Sequence, residues 1–385
     1  MASILDITET CPVARQLPLR VCYLIDRLAC GGTEIQLLEL LHHLDRTQVE
    51  PILCLLDGDD AISQSLEPVD CEVHRIGVRS LLSPSTLGQV RRFSKWLHSR
   101  RIDLLQVHFI DSSYFGIAAA KLARIPVIRT RRNSGYWQGT RDRWLGCVSN
   151  WLSHSTIANC AAAKEAVIAQ EFARPESVVV ISNGINTERF ADIPELSTSW
   201  GQRAPRIGAV ANLRAVKGLD TLVRAAAQVI RRFPQAEFVV AGEGEQRGAL
   251  ERLIAQEDLQ HRFHLVGASS DIPQFLSTLD IAVLPSQSEG LSNSLLEYMA
   301  AGRAVIATAV GGNTELISNE RNGLLVSAND PGALADSIVR YLADPGFAAN
   351  MGRAARVKIL QEHAWTAATG RMVHHYRALM GSRPS

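Results

Sequence analysis

The 385-residue sequence has no CxxC pair, no HExxH run, no GxxxxGK[ST] phosphate loop and no Ser/His/Asp set that would make a nucleophile. Zinc ribbons, zinc peptidases, P-loop NTPases and serine hydrolases each need those residues at those spacings, so all four classes are disfavoured. No apolar run approaches ~18 residues, so no transmembrane helix is expected. Charge of one sign is also missing, and a formal net charge of +1 argues against wholesale nucleic-acid binding. The seven cysteines, Cys11, Cys22, Cys30, Cys54, Cys71, Cys147 and Cys160, are odd in number and scattered. Several, such as Cys22 and Cys54, fall in apolar strand-like runs, which points to buried reduced thiols rather than disulfides or a metal site. The opening stretch, MASILDITETCPVARQLPLR, carries acids where a secretory signal has a basic and then an apolar segment. Residues 1–17 therefore read as a loosely ordered tail of a cytoplasmic protein.

What is present is a long alternation of strand-like and helix-like runs, with 46% hydrophobic residues, too long for one ordinary core. Strands are expected near Arg20–Ile25, Pro51–Leu56, Cys71–Ile76, Leu104–Val107, Val127–Arg129, Thr156–Ala158 and Val178–Ile181. A second series is expected near Arg206–Val210, Glu237–Val240, Phe263–Val266, Ile281–Leu284, Ala304–Ala307 and Gly323–Val326. Such alternation predicts parallel sheets with crossover helices, and no repeat of solenoid length interrupts it. The expectation is an α/β chain of two Rossmann-like, doubly wound domains facing across a cleft. Residues 18–190 form the first and 206–362 the second. A polar linker with two prolines spans 191–205, and a C-terminal helix (363–385) packs back on the first domain. Ligands are expected between the carboxyl ends of the two sheets.

The densest signal is DIAVLPSQSEGLSNSLLEYMAAGRAVIATA, residues 280–309, a βαβ unit. Its helix opens after a Ser/Gly loop and so presents unpaired N–H groups to a phosphate or diphosphate. Glu289 lies before the helix and Glu297 inside it, at the margin of the face formed by Leu295, Leu296, Met299 and Ala300. A carboxylate there can accept two hydrogen bonds from a vicinal diol such as a ribose.

Gly31-Gly32-Thr33-Glu34 opens the first helix, where glycines admit a ligand close to the backbone. Asn212, Arg214 and Lys217 follow the first strand of the second domain; the two cations suit a diphosphate across the cleft. Ala241-Gly242-Glu243-Gly244-Glu245 imitates a dinucleotide fingerprint, but its third glycine is displaced to Gly248, so nicotinamide is not expected. The basic stretch RTRRNSGYWQGTRDRW (129–144) suits a phosphorylated acceptor, an anionic membrane or simply solvent, and a second stretch, LGQVRRFSKWLHSRR (87–101), adds cations. Phe93 and Trp96 of the second stretch read either as interfacial or as packed onto the sheet. His108, at the carboxyl end of a strand, is a candidate to touch sugar or phosphate, whereas His264 (in a strand) and His363 (in a helix) read as structural.

Taken together these features resemble the GT-B-fold retaining glycosyltransferases of family 4, often called glycosyl transferases group 1. The segment SEGLSNSLLEYMAAGRAVIATAVGGNTELI carries two glutamates at the family's spacing, Glu289 and Glu297, flanked by Pro285-Ser286, Gly302 and Gly311-Gly312. The resemblance implies that Glu289 meets donor-sugar hydroxyls and Glu297 the ribose. It implies further that amides around Gly290, Leu291, Ser292, Asn293 and Ser294 hold a diphosphate, that Lys217 binds it, and that Gly31 and Gly32 reach it from the other domain. Asn212 stands where the family usually has arginine, so Arg214 is expected to supply that charge. Arg132 stands where a histidine is usual, and of the paired histidines before it only His108 is kept, beside Gln106.

The implied activity is retaining transfer of a hexose-type sugar from a nucleotide diphosphate sugar to a saccharide or lipid-linked acceptor, in polysaccharide, lipopolysaccharide or glycolipid assembly. Neither a cofactor nor a metal is expected. Peripheral contact with the inner face of a membrane through the basic patches is a further expectation. A nucleotide-sugar epimerase of the same fold and a non-catalytic nucleotide- or membrane-binding member are the alternatives.

Overall fold

The computed structural model describes residues 17–29, 31–132, 139–200 and 203–381; for Thr140 and Arg141 only the backbone is described. Cys11, Cys30, the tail up to residue 16 and the middle of the basic stretch 129–144 thus lie outside the described residues.

Seven strands form the first sheet: β1 (Leu19–Ile25), β2 (Val49–Leu55), β3 (Glu72–Arg75), β4 (Leu104–Val107), β5 (Val127–Arg131), β6 (Ser155–Ala158) and β7 (Val178–Val180). Six form the second: β8 (Arg206–Val210), β9 (Glu237–Ala241), β10 (Phe263–Gly267), β11 (Ile281–Leu284), β12 (Ala304–Thr308) and β13 (Leu324–Val326). The helices between and after them are α1 (Gly32–His43), α2 (Ala61–Ser65), α3 (Thr86–Ser99), α4 (Ile110–Ala123), α5 (Thr140–Leu152), α6 (Ala161–Glu171), α7 (Leu219–Arg232), α8 (Arg247–Gln256), α9 (Ile272–Ser277), α10 (Asn293–Ala300), α11 (Asn313–Leu316), α12 (Pro331–Ala343), α13 (Pro345–Glu362) and α14 (Trp365–Gly381).

Both sheets are wholly parallel and share one winding, β3-β2-β1-β4-β5-β6-β7 and β10-β9-β8-β11-β12-β13. The order reverses between β1 and β4 and between β8 and β11, and a crevice opens at the carboxyl edge of each reversal. Burial on both faces explains the unbroken apolar run of the central strand Ile281–Leu284; Leu104–Val107 is also buried throughout, with Gln106 Oε1 accepting from Tyr376 OH at 2.6 Å. The thiols of Cys22 and Cys54 meet inside the first sheet at 3.2 Å and are free.

Three features depart from the sequence pattern. The segment 190–200 looks polar, yet Phe190, Ile193 and Leu196 are buried and Arg303 Nη2 donates to Pro194 O at 2.5 Å. It is a strap laid on the second half of the chain. His363 is not inside a helix; it sits at the break between α13 and α14, where its carbonyl accepts from Ile185 N at 2.8 Å. Along α3, Phe93 is buried and Trp96 stacks on His74 with ring centroids 4.3 Å apart, so neither ring faces outward.

Helix α14 returns to the first sheet. Trp365, Met372 and Tyr376 pack with Tyr23, Leu37 and Leu41, and Tyr376 OH lies 3.0 Å from Tyr23 OH. Among the described residues no helix is long and apolar enough to cross a membrane.

Candidate functional site

A cleft of about 620 Å³ runs between the carboxyl edges of the two sheets. From the second half it is lined by Asn212, Arg214, Lys217, Gly290 to Ser294 and Glu297, and from the first by Gly32 and Thr33.

Residues 285–292, between β11 and α10, are held by both neighbouring loops. Thr308 Oγ1 donates to Ser286 O at 2.6 Å, and Gln287 N to Val216 O at 2.8 Å. Gly218 (φ +60) and Gly311 (φ +51) make these grips possible, because a Cβ on either would lie 2.2 Å from Pro285 O or 2.1 Å from Glu289 O. Ser292 then caps α10 by accepting from Leu295 N at 3.3 Å, leaving the first amides of the helix at the cleft wall.

So fixed, Glu289 Oε1 accepts from Lys217 Nζ at 2.6 Å and from Ser286 Oγ at 2.7 Å. The two charged side chains are 10% and 24% exposed, which shields the pair from much of the water that weakens surface ion pairs. Glu297 is half-buried, and burial pushes its carboxyl up to about 7; the opposing effect of Arg189 is smaller. Arg214 and Asn212 are exposed on the same wall, with Arg214 N donating to Asn212 O at 2.8 Å.

The opposite wall is tied to this one by a line of side chains. Arg132 Nη1 donates to Asn183 Oδ1 at 2.9 Å, Asn183 Nδ2 to Asn293 Oδ1 at 2.8 Å, and Asn293 Nδ2 to Gly32 O at 3.1 Å. Asn183 is absent from the sequence-based candidates. Its only sequence signal is that it follows β7 in a Ser-Asn-Gly turn. Arg132, flagged there as a departure, is central: burial holds its guanidinium down to about 10 while Glu34 opposes, which still leaves it charged at neutral pH.

Not every candidate reaches the cleft. Gly32 does, but Gly31 gives its space to Glu34, whose Oε2 would lie 2.5 Å from a Cβ there. His108 is fully buried and lines a separate cavity of about 70 Å³, which meets the cleft only at Thr33 and Arg132. Burial, helped by Arg132, pushes the imidazole down to about 3, so it is neutral. Its Nε2 lies 3.4 Å from Gln106 Nε2, and its Nδ1 has no partner. His108 is thus set back behind Arg132: β4 ends at Val107, which pairs with Arg129, while β5 runs on to Arg131. Among the described residues no three His, Cys, Asp or Glu side chains gather as metal ligands would.

Two parallel, similarly wound sheets facing across a cleft define the GT-B fold, and the fold comparisons agree. The structure of Anabaena Alr3699/HepE in complex with UDP superposes with a TM-score of 0.82 at 22% identity, covering 94% of this chain and 100% of that one. Sucrose-phosphate synthase from Thermosynechococcus elongatus gives 0.79 at 21%, covering 95% and 100%. In sequence, residues 30–189 match the family described as Glycosyltransferase Family 4 and residues 204–344 the one described as Glycosyl transferases group 1. The chain belongs to this family of glycosyltransferases. Among its relatives are the UDP-Gal:alpha-D-GlcNAc-diphosphoundecaprenol alpha-1,3-galactosyltransferase of Escherichia coli, 27% identical over 65% of this chain and 69% of that protein. The 2-deoxystreptamine glucosyltransferase of Streptomyces kanamyceticus is 28% identical over 72% and 78%.

Proposed function

We propose that this glycosyltransferase moves a hexose-type unit from a nucleoside diphosphate sugar to an acceptor hydroxyl with retention at the anomeric carbon. The observation that carries the reading is the convergence of Lys217, Glu289 and the opening of α10 on one wall of the cleft. Lys217, Arg214 and the amides from Leu291 to Ser294 stabilise the diphosphate, Glu297 takes the ribose hydroxyls, and Glu289 takes sugar hydroxyls. The E. coli relative uses UDP-Gal, and Alr3699/HepE has been solved with UDP-glucose, which supports a donor of this type.

In this reaction the bond from the anomeric carbon to the diphosphate oxygen breaks on the same face on which the acceptor oxygen bonds. The departing oxygen takes the acceptor proton, so no enzyme nucleophile is needed. The protein's part is orientation and support of the leaving charge by fixed donors, without a metal. An acceptor in polysaccharide or glycolipid assembly fits the E. coli relative's substrate.

A calorimetric panel of UDP, GDP and ADP with their sugar conjugates, on wild type and Lys217→Ala, tests the site. One conjugate bound selectively, with affinity lost in the variant, supports it; no nucleotide response sinks it. Incubation of that donor alone separates transfer from epimerisation, and the anomeric configuration of the product tests retention.

A further inference from the structure

Helices α3, α4 and α5 form one layer over the first sheet. Their inner residues, including Val90, Phe93, Leu97, Phe115, Ala119 and Leu152, share one core cluster, so their opposite faces form the outside of the molecule. Two tryptophans stand on that outer face. Trp144 is 66% exposed and Trp151 is 78% exposed, and a separation of seven residues puts both on one stripe of α5, with half-buried Cys147 and Val148 between them. The other described tryptophans, Trp96, Trp200 and Trp365, are half-buried or buried. Leu87 on α3 and Leu122 on α4 add exposed apolar surface at 61% and 58%.

Most of the charged residues of this layer have one sign. Arg91, Arg92 and Lys95 on α3, Lys121 and Arg124 at the end of α4, and Arg143 on α5 are all exposed. The only carboxylates in the three helices are Asp111 and Asp142, each in the first turn of its helix at the cleft end. Since the whole chain carries a net charge of +1, this is a local segregation of charge rather than a property of the protein.

We propose that this face docks on an anionic lipid surface, with Trp144 and Trp151 entering the headgroup region and the cations of α3, α4 and α5 facing lipid phosphates. Tryptophan suits that boundary because its ring is apolar and its N–H is polar, and basic side chains near the surface gain from the negative potential. A folded acidic protein or a second copy of the chain would meet the same charges. A second copy is disfavoured because the layer would oppose its own cations. The donor cleft lies at the carboxyl edge of the sheets, so docking leaves it open, and the inference stands apart from the donor reading.

The test uses the full chain with vesicles of phosphatidylcholine alone or with phosphatidylglycerol, read by co-sedimentation and tryptophan emission. The expected result is binding only to the anionic vesicles, weakened by salt, with a blue shift of the emission. The combined substitution Trp144→Ala and Trp151→Ala should lower the partition coefficient by about tenfold or more. Each of Arg91→Gln, Arg92→Gln and Lys95→Gln should lower it about fivefold. Nucleotide binding in solution should stay at the wild-type level in all of them, which shows that they fold. No binding to anionic vesicles at low salt, or equal binding by the tryptophan variant, overturns the proposal. So does a wild-type dimer in sedimentation velocity that the tryptophan variant lacks, since the stripe would then belong to a second copy.

Discussion

Lys217 Nζ and Glu289 Oε1 stand 2.6 Å apart although 72 residues separate them, and Ser286 completes the contact from the same loop. The cation proposed to bind the diphosphate and the carboxylate proposed to bind the sugar therefore hold each other, and each fixes the other's place on the wall. Lys217→Ala should abolish most donor affinity and also leave a largely buried carboxylate, still bonded to Ser286, without its cation. That second effect should cost about 1–3 kcal/mol of stability in a denaturant titration. Glu289→Gln keeps the shape, so it should fold like wild type while turnover falls by about 10²–10³. Wild-type turnover in Glu289→Gln would remove the carboxylate from the reaction.

Glu297 gives a pH signature. Its ordinary carboxyl value of 4.5 is raised to about 7 in the folded chain, chiefly by burial. Protonation is therefore favoured by folding: the stabilisation is complete below about pH 4 and is lost as pH rises toward 7, by up to about 3 kcal/mol. Glu297→Gln should flatten that part of the stability curve. If the ionised form binds ribose hydroxyls, nucleotide affinity should rise between pH 6 and 8 in wild type and stay level in the variant. An equal rise in both would detach Glu297 from the nucleotide.

The Arg132–Asn183–Asn293–Gly32 line makes a graded prediction. Asn183→Ala removes the acceptor of a buried guanidinium and should cost about 1–3 kcal/mol, whereas Asn293→Ala, at the more open end, should cost under about 1 kcal/mol. Both should speed hydrogen exchange at the start of α1, read by mass spectrometry. Arg132→Gln should let His108 titrate above about 3 but still below the usual imidazole range, because burial is the larger cause of its depression. Proton NMR of the ring would follow this.

Two glycines separate strain from propensity. Gly218→Ala puts a methyl 2.2 Å from Pro285 O at a positive φ, and should cost at least about 2 kcal/mol while displacing Lys217. Gly370→Ala, inside α14 with open space around it, should stabilise by roughly 0.5–1 kcal/mol. Thermal melts of the pair would show opposite signs.

Most strands among the described residues were legible as short apolar runs between helical segments, as Ile281–Leu284 is in its parallel sheet, whereas β3, Glu-Val-His-Arg, was legible only from its place in the alternation. The grouping of Gly32, Lys217, Glu289 and Glu297 on one cleft was legible too, since each lies in the loop or the first helix that follows the carboxyl end of a strand. What could not be read was contact between segments far apart in the chain. Asn183 acquires its place only because β7 ends opposite α10. His108 looked like a cleft residue by position, but the depth at which β4 ends was not in the sequence. The strap at 190–200 looked like a linker because its three buried apolar residues are diluted among polar ones and follow neither a helical nor a strand period.

Because α14 completes the core of the first sheet, the two halves of the molecule are not two consecutive pieces of the gene. Tyr376 and Trp365, at the end of the chain, belong with Tyr23 and Leu37 at its beginning. A chimera that joins the first half of this molecule to a relative's second half therefore needs two junctions, one near the strap and one at the break before Trp365. Exchange at a single point would graft on a foreign last helix and give the first sheet a neighbour selected against a different surface.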